Sequence, residues 1–155
     1  MILTSDIAEP VTDRAKRVLA LAAQEAKRRG RRMVRPEHIL LAILQEGGGV
    51  ACAVLRQLEA DPGALSQRLT ARLDADLPIA QSDAENLSDQ PPPGLLRTAA
   101  AEARTLGHRY VGTEHLLIAI AHEPRGLAGE ALAAHGVTPA TASAMTARLL
   151  GQQVV

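Results

Sequence analysis

The residues of this sequence that could most readily do chemistry are two histidines and one cysteine. His38 and His115 each follow a glutamate, but neither lies in an H-E-x-x-H pattern and no cluster of Cys, His and Asp accompanies them. His115 and His122 are seven residues apart, a spacing that suits a plain helix surface. Cys52 lies in an apolar run without an indicated general base. The sequence therefore predicts helix-interface histidines, a small core cysteine, and no metal, cofactor or catalytic residue.

A basic cluster is the second candidate for function, and five positive charges fall within six residues. Its members are Lys27, Arg28, Arg29, Arg31 and Arg32. Cations suit the C-terminal end of a helix dipole, so one interpretation is a solvated helix end. The other is a docking patch for an acidic partner. A weaker basic stretch, residues 104–109, has the same two interpretations.

Composition narrows the class of partner. Seventeen basic and seventeen acidic residues cancel, which removes the electrostatic argument for nucleic acid or an anionic membrane and favours protein partners. Aromatic residues make up 1% of a chain that is 46% hydrophobic, so the core must be aliphatic. No apolar segment reaches the length of a membrane span and the N-terminus does not resemble a signal peptide. We expect a cytoplasmic protein, and the sequence leaves its oligomeric state open.

An internal repeat organises the elements that must position these residues. Shifting the sequence by 77 positions sets residues 26–46 on residues 103–123 with ten identities in 21 pairs. Each repeat contains four helical patterns separated by caps, glycines and prolines, with Thr12, Pro36, the glycines at 47–49 and Asp61-Pro62 in the first. Thr113, Gly126 and Thr138-Pro139 punctuate the second in the same way. The fold predicted is an all-α, eight-helix bundle made of two tandem four-helix repeats with pseudo-two-fold symmetry.

The domain limits follow from the same punctuation. We predict an N-terminal tail over residues 1–11, the first repeat over 12–73, a linker over 74–94 and the second repeat over 95–151. The linker is polar and rich in proline. Asp89 occupies the position equivalent to Thr12, but three prolines follow it, so the fifth helix is expected to begin near Leu95.

Two related motifs connect this organisation to a known family. They are V-R-P-E-H-I-L-L, beginning at Val34, and V-G-T-E-H-L-L, beginning at Val111. The pair resembles the Clp N-terminal repeat that precedes the ATPase modules of Clp and Hsp100 unfoldases, and the ClpC type most closely, over about residues 12–150. The chain has no G-x-x-x-x-G-K-[ST] phosphate loop, so it resembles a freestanding N-terminal domain that does not hydrolyse ATP.

The resemblance implies a ligand and two pockets. In ClpC-type domains the glutamate of each motif belongs to a pocket for phosphoarginine, which here implies Glu37 and Glu114. A carboxylate can hold a guanidinium by paired hydrogen bonds while helix N-terminal amides and hydroxyls receive phosphate. Thr12 is assigned to the pocket of Glu37, and Asp89 takes its place in the pocket of Glu114 and Thr113. Arg35-Pro36 replaces Gly112-Thr113 in the first motif, and the helix dipole alone would favour both glutamates.

The function implied is a non-catalytic, accessory or adaptor-like module in Clp-dependent protein degradation. Its partners would be substrate proteins or adaptors and a Clp ATPase or protease complex. A second hypothesis is a decoy that sequesters Clp-directed cyclic peptide antibiotics, although family members bind these partly through aromatic side chains and Tyr110 is alone here. A third is a small enzyme that uses Cys52 or His115.

Overall fold

The computed structural model describes residues 7–31, 33–75, 91–123 and 126–150. Within these ranges the chain forms eight α-helices and no strand, which confirms the predicted all-α fold. The helices are α1 (Asp13–Arg28), α2 (Pro36–Glu46), α3 (Gly49–Gln57), α4 (Pro62–Ala75), α5 (Pro93–Thr105), α6 (Thr113–Ala121), α7 (Leu127–Ala134) and α8 (Pro139–Leu149).

The helix ends follow the punctuation of the sequence. Thr12 is the N-cap of α1, and its Oγ1 accepts a hydrogen bond from the Ala15 amide at 3.1 Å. Thr138 caps α8 in the same way through the Thr141 amide at 3.2 Å. Gly47 ends α2 with a φ of 73°, a left-handed conformation that a side chain would disfavour. Local sequence therefore sets where the helices begin and end.

The two repeats interlock around a shared aliphatic core. Helices α1 and α2 pair within the first repeat as α5 and α6 do within the second. Across the repeats, α3 packs on α6 and α8, and α7 packs on α2 and α4, which is the same relation with the halves exchanged. The fully buried side chains include Leu19, Ile39, Leu40, Ile43, Leu55, Leu65, Leu116, Leu117, Ile118 and Ile120. This exchange of α3 and α7 confirms the pseudo-two-fold arrangement of the tandem repeats.

The region between the repeats lies partly outside the described residues. Helix α4 continues to Ala75 and α5 begins at Pro93, two residues before the predicted start. Asp89 and the linker from 76 to 90 are outside the described ranges, so the prediction for Asp89 stays a prediction.

None of the helices in the described ranges is by itself long and apolar enough to cross a bilayer. The pair α2 and α3, bent by 89° at the break between them, meets that criterion only when the two are taken together, by length and composition.

Candidate functional site

The antiparallel pairing of α1 and α2 fixes where Thr12 lies. Arg14, in the first turn of α1, forms an ion pair with Glu46 at the last residue of α2. Glu37 is at the opposite end of α2, nine residues and roughly 13 Å along the helix axis. The structure therefore does not bring Thr12 and Glu37 together as expected, because the two residues lie at opposite ends of the α1–α2 pair.

Thr12 instead lies beside the second repeat. Its amide donates to the Val111 carbonyl at 3.0 Å, and the Val111 amide donates to the Pro10 carbonyl at 2.9 Å. These two bonds form an isolated parallel bridge between Val11 and Val111. The start of α1 thus lies next to the residues that lead into α6, and Thr12 shares its surroundings with Thr113 and Glu114.

The start of α3 completes this arrangement. A Cβ atom built on Gly49 would lie 2.6 Å from Arg14 Cδ and 3.1 Å from Thr113 Oγ1, so both side chains reach the first turn of α3. The hydroxyl of Thr113 accepts a weak hydrogen bond from the Ala51 amide at 3.4 Å. We call the region formed by Thr12, Arg14, Gly49, Thr113 and Glu114 the α1–α3–α6 site. Three helices begin here, and their N-terminal amides and the Arg14 guanidinium, which is paired with Glu46, are groups that can bind an anion.

Glu114 is the acidic member of this site and is turned inwards. It is 3% exposed, and the Tyr110 hydroxyl donates to its Oε2 at 3.3 Å. Its Oε1 fills the space above Gly112, where a Cβ atom would lie only 2.2 Å away. Burial raises the pKa of the Glu114 carboxyl, an effect that its own backbone amide and Tyr110 partly offset.

Glu37 occupies a different place from its counterpart. It is 5% exposed, and its Oε2 lies 4.0 Å from the position of a Cβ atom on Gly126, directly before α7. A carboxylate at that position suits the positive end of the α7 dipole. The nearest atoms around Gly49, the equivalent of Gly126, belong to Arg14 and Thr113. The two glutamates are equivalent in sequence but not in surroundings: Glu37 lies near Gly126 of the other repeat, whereas the contacts of Glu114 are with Tyr110 and Gly112 of its own repeat.

The two motif histidines are buried and structural. The Nδ1 atom of His38 accepts from the Arg35 amide at 2.9 Å, and that of His115 accepts from the Gly112 amide at 2.9 Å. Each ring therefore closes the first turn of its helix. Burial lowers the pKa of both histidines to about 4, so both are neutral at pH 7. Within the described ranges, no group of three Cys, His, Asp or Glu residues is arranged to hold a metal ion.

A cluster around His115 was missed by sequence reasoning. His108 Nδ1 lies 2.7 Å from His115 Nε2, and since Nδ1 of His115 already accepts a bond, the neutral His115 ring donates to His108. The Tyr110 ring stacks on His108 with centroids 5.3 Å apart and meets His115 edge-on at the same distance. The plain helix surface predicted for His115 and His122 is found only at His122, which is 42% exposed and lies 2.6 Å from Glu102 Oε1, whereas His115 is buried. The close spacing of His108, Tyr110 and His115 was the available signal.

Cys52 is a core residue, as predicted. It is 2% exposed, and its thiol donates to the Ile43 carbonyl at 3.3 Å. Burial raises the pKa of the thiol, which disfavours the thiolate needed for nucleophilic attack.

The predicted docking patch is partly neutralised inside the fold. Glu25, only 7% exposed, accepts hydrogen bonds from Arg28 and Arg29 at 2.7 Å each, and Arg29 also pairs with Asp74 at 2.5 Å. These bonds lower the pKa of the Glu25 carboxyl, Arg28 contributing most. Arg31 is 8% exposed, Lys27 and Arg28 are exposed, and Arg32 lies outside the described ranges. The ion pairs of Arg28 and Arg29 are therefore used within the fold, to hold Glu25 and to join the end of α1 to the end of α4.

Replacing Glu25 tests this structural role. Glu25→Gln is expected to lower the free energy of unfolding by about 2 kcal/mol, because it removes a charged acceptor from two guanidiniums, one of them largely buried. Urea unfolding followed by circular dichroism measures the change. Gln24→Glu or Lys27→Gln, on exposed neighbours, should change stability by less than about 0.5 kcal/mol. A Glu25→Gln protein as stable as these controls would contradict the ion-pair role.

The fold and site together define a class: a helical domain of two interlocked four-helix repeats, with its charged site built where helices of both repeats begin. The Clp repeat (R) N-terminal domain model matches residues 10–95 and again residues 89–155. The chain therefore belongs to the Clp repeat N-terminal domain family, which confirms the resemblance found in the two motifs.

Relatives and solved structures agree with this assignment. The chain is 36% identical over 141 residues to the negative regulator of genetic competence ClpC/MecB of Bacillus subtilis, covering 90% of this chain and 17% of that protein. It is 33% identical over 141 residues to the chaperone protein ClpB of Oceanobacillus iheyensis, again covering 90% and 17%. The chain thus spans about a sixth of the length of these relatives. The N-terminal domain of the chaperone ClpD from Arabidopsis thaliana has the same fold, with a TM-score of 0.66, 21% identity, and 96% and 99% of the two chains covered.

Proposed function

We propose that this chain is a non-catalytic protein-binding module of a Clp chaperone or protease system, which recognises substrate or adaptor proteins through phosphorylated arginine. The relatives named above carry such a domain as the N-terminal part of much longer proteins. The observation that carries the proposal is that Thr12, Arg14 and Thr113 come together at the starts of α1, α3 and α6, with Glu114 following Thr113 in the first turn of α6.

The chemistry of the α1–α3–α6 site fits both halves of this ligand. A phosphoryl group needs cations and N–H donors, which Arg14 and the first amides of α3 offer. The adjoining guanidinium needs a carboxylate, which Glu114 supplies from the first turn of α6. Arg14 is held by Glu46 and is 41% exposed, so an incoming phosphoryl group can compete for it at the surface.

The absence of catalysis is part of the proposal and has its own support. The Cys52 thiol is buried and hydrogen-bonded to a backbone carbonyl, and both ring nitrogens of His115 are hydrogen-bonded, one to Gly112 and the other to His108. Neither group is free to act as a nucleophile or base toward a bound ligand.

Calorimetric titration tests the ligand. Phosphoarginine, and a peptide containing it, should bind the protein, whereas the matched arginine and phosphoserine peptides should not. Glu114→Gln and Arg14→Gln should each weaken binding by about tenfold or more, because each removes a charge-assisted hydrogen bond to one half of the ligand. The Arg68→Gln variant, on an exposed face of α4, is the matched control and should bind like the unchanged protein.

Two results would count against the proposal. Absence of heat with both phosphoarginine probes would overturn recognition of this mark. Binding that survives Glu114→Gln and Arg14→Gln but disappears with Glu37→Gln would place the ligand beside α7 and overturn the assignment to the α1–α3–α6 site.

A further inference from the structure

Tyr110 provides a feature of the second repeat that the first does not have. Its hydroxyl donates to Glu114 Oε2 at 3.3 Å, while Met33 occupies the equivalent position in the first repeat. A thioether has no hydrogen to donate. The side chain of Met33 therefore cannot donate a hydrogen bond to Glu37 as Tyr110 does to Glu114.

The Tyr110 ring is itself held in place by the buried imidazoles. It stacks on His108 with an interplanar angle of 10° and meets His115 at 61°, with both centroids 5.3 Å away. His115 is fixed in turn by the Gly112 amide and by His108. The Tyr110 ring is thus packed between His108 and His115, and His115 is hydrogen-bonded to the residue before α6.

Both oxygens of Glu114 point inwards in this arrangement. Oε2 receives the Tyr110 hydroxyl, and Oε1 lies in the space over Gly112 that any other residue would fill with its Cβ atom. The side chain is only 3% exposed. A guanidinium in the α1–α3–α6 site cannot form paired hydrogen bonds with a carboxylate in this orientation, because bidentate pairing requires both oxygens.

We propose that the Tyr110 hydroxyl is a positioning group that holds the Glu114 carboxylate over Gly112, so that the α1–α3–α6 site accepts a guanidinium only when this hydrogen bond opens. The ligand part of this inference rests on the proposed function, whereas the orientation of Glu114 does not. Tyr110 acts through Glu114: its hydrogen bond satisfies the buried carboxylate and, by competing with the ligand, lowers the affinity of the site for a guanidinium.

Carbon-13 NMR of the glutamate carboxyl groups tests the orientation without a ligand. Tyr110→Phe removes the hydroxyl and keeps the ring contacts with both histidines, so the domain should still fold. Without its donor, the carboxylate should turn towards solvent, and the raised pKa of Glu114 should fall towards the usual value for a glutamate. A pKa that stays unchanged or rises further, as expected for a carboxylate that remains buried without its donor, would overturn the inference.

Gly112→Ala is a second test of the orientation of Glu114. The added Cβ atom would lie 2.2 Å from Glu114 Oε1, the far end of a flexible side chain, and should push the carboxylate out. The backbone at Gly112 has a φ of −108°, which alanine adopts without strain. If Gly112→Ala also leaves the Glu114 titration unchanged, the inward orientation is not what holds its pKa up, and the inference is wrong.

Calorimetry with phosphoarginine then tests the consequence for binding. Tyr110→Phe is expected to bind about threefold to tenfold more tightly than the unchanged protein, the range expected for loss of one competing hydrogen bond. The gain should disappear in the double variant with Glu114→Gln. Equal affinities in the unchanged and Tyr110→Phe proteins would overturn the role of Tyr110 in binding. Absence of binding in both would count against the proposed function, and the NMR titration alone would decide whether Tyr110 holds Glu114.

Discussion

Gly129→Ala is expected to lower the free energy of unfolding by about 3 kcal/mol, because α7 leaves no room for a methyl group at this position. A Cβ atom there would lie 1.9 Å from the Glu123 carbonyl oxygen and 2.7 Å from the carbon that bears it. That carbonyl is held by the Gly126 amide at 3.2 Å, so it cannot move aside without losing a bond. Urea unfolding followed by circular dichroism measures the loss.

The equivalent position in the first repeat, Cys52, has room for a side chain between α3 and α2. There Cys52 lies on α3, and its thiol fits well enough to donate to the Ile43 carbonyl at 3.3 Å. Gly63→Ala is the matched control, since its Cβ atom would lie 3.6 Å from Asp61 Oδ2, an ordinary contact. Alanine at this helical position should stabilise the domain by about 0.5 kcal/mol. A Gly129→Ala protein that behaves like Gly63→Ala would contradict the close approach of α7 to the end of α6.

Acid is expected to destabilise the domain well before its carboxylates are fully protonated. Burial lowers the pKa of His38 and His115 from the ordinary 6.5 to about 4, so between these values the unfolded chain binds protons that the folded chain does not. The stabilising contribution of the neutral histidines is therefore fully present above about pH 6.5 and is lost as the pH falls towards 4. We expect a loss of about 2 kcal/mol for each histidine, after allowing for partial solvent screening. Chemical unfolding at a series of pH values measures it.

Substitution at one histidine separates this loss from other titrations. His38→Gln keeps an acceptor for the Arg35 amide, as glutamine does in capping boxes, and should lose about 2 kcal/mol less than the unchanged protein between pH 7 and 4.5. Glu25, with its lowered pKa, loses its stabilising charge only at lower pH, and Glu114, with its raised pKa, changes stability in the opposite direction. Parallel pH curves for His38→Gln and the unchanged protein would show that His38 can be charged within the fold.

The sequence contained enough local information to predict the helices and the repeat. Thr12, Pro36 and Gly47 mark helix ends through their own backbone and side-chain chemistry, and the structure places each at a helix end. Cys52 was correctly placed in the core because its neighbours are apolar. These predictions succeed because the forces involved act within one or two helical turns.

The arrangement of the site could not be predicted in the same way. A repeat in register shows which residues are equivalent but not which of them touch, and so Thr12 was assigned to Glu37 rather than to the loop before α6. The ion pair of Arg29 with Asp74 could not be predicted either, because the two residues are 45 positions apart in sequence. The inward turn of Glu114 depends on the missing Cβ of Gly112, a packing effect that residue type alone does not reveal.

The bridge between Val11 and Val111 makes the α1–α3–α6 site dependent on the completion of folding. These residues are 100 positions apart, so the bridge closes a loop of most of the chain and forms only after that loop entropy has been overcome. During synthesis on a ribosome, the first repeat can emerge with its helices formed while the α1–α3–α6 site is still incomplete. The site is therefore assembled only when the second repeat has docked on the first.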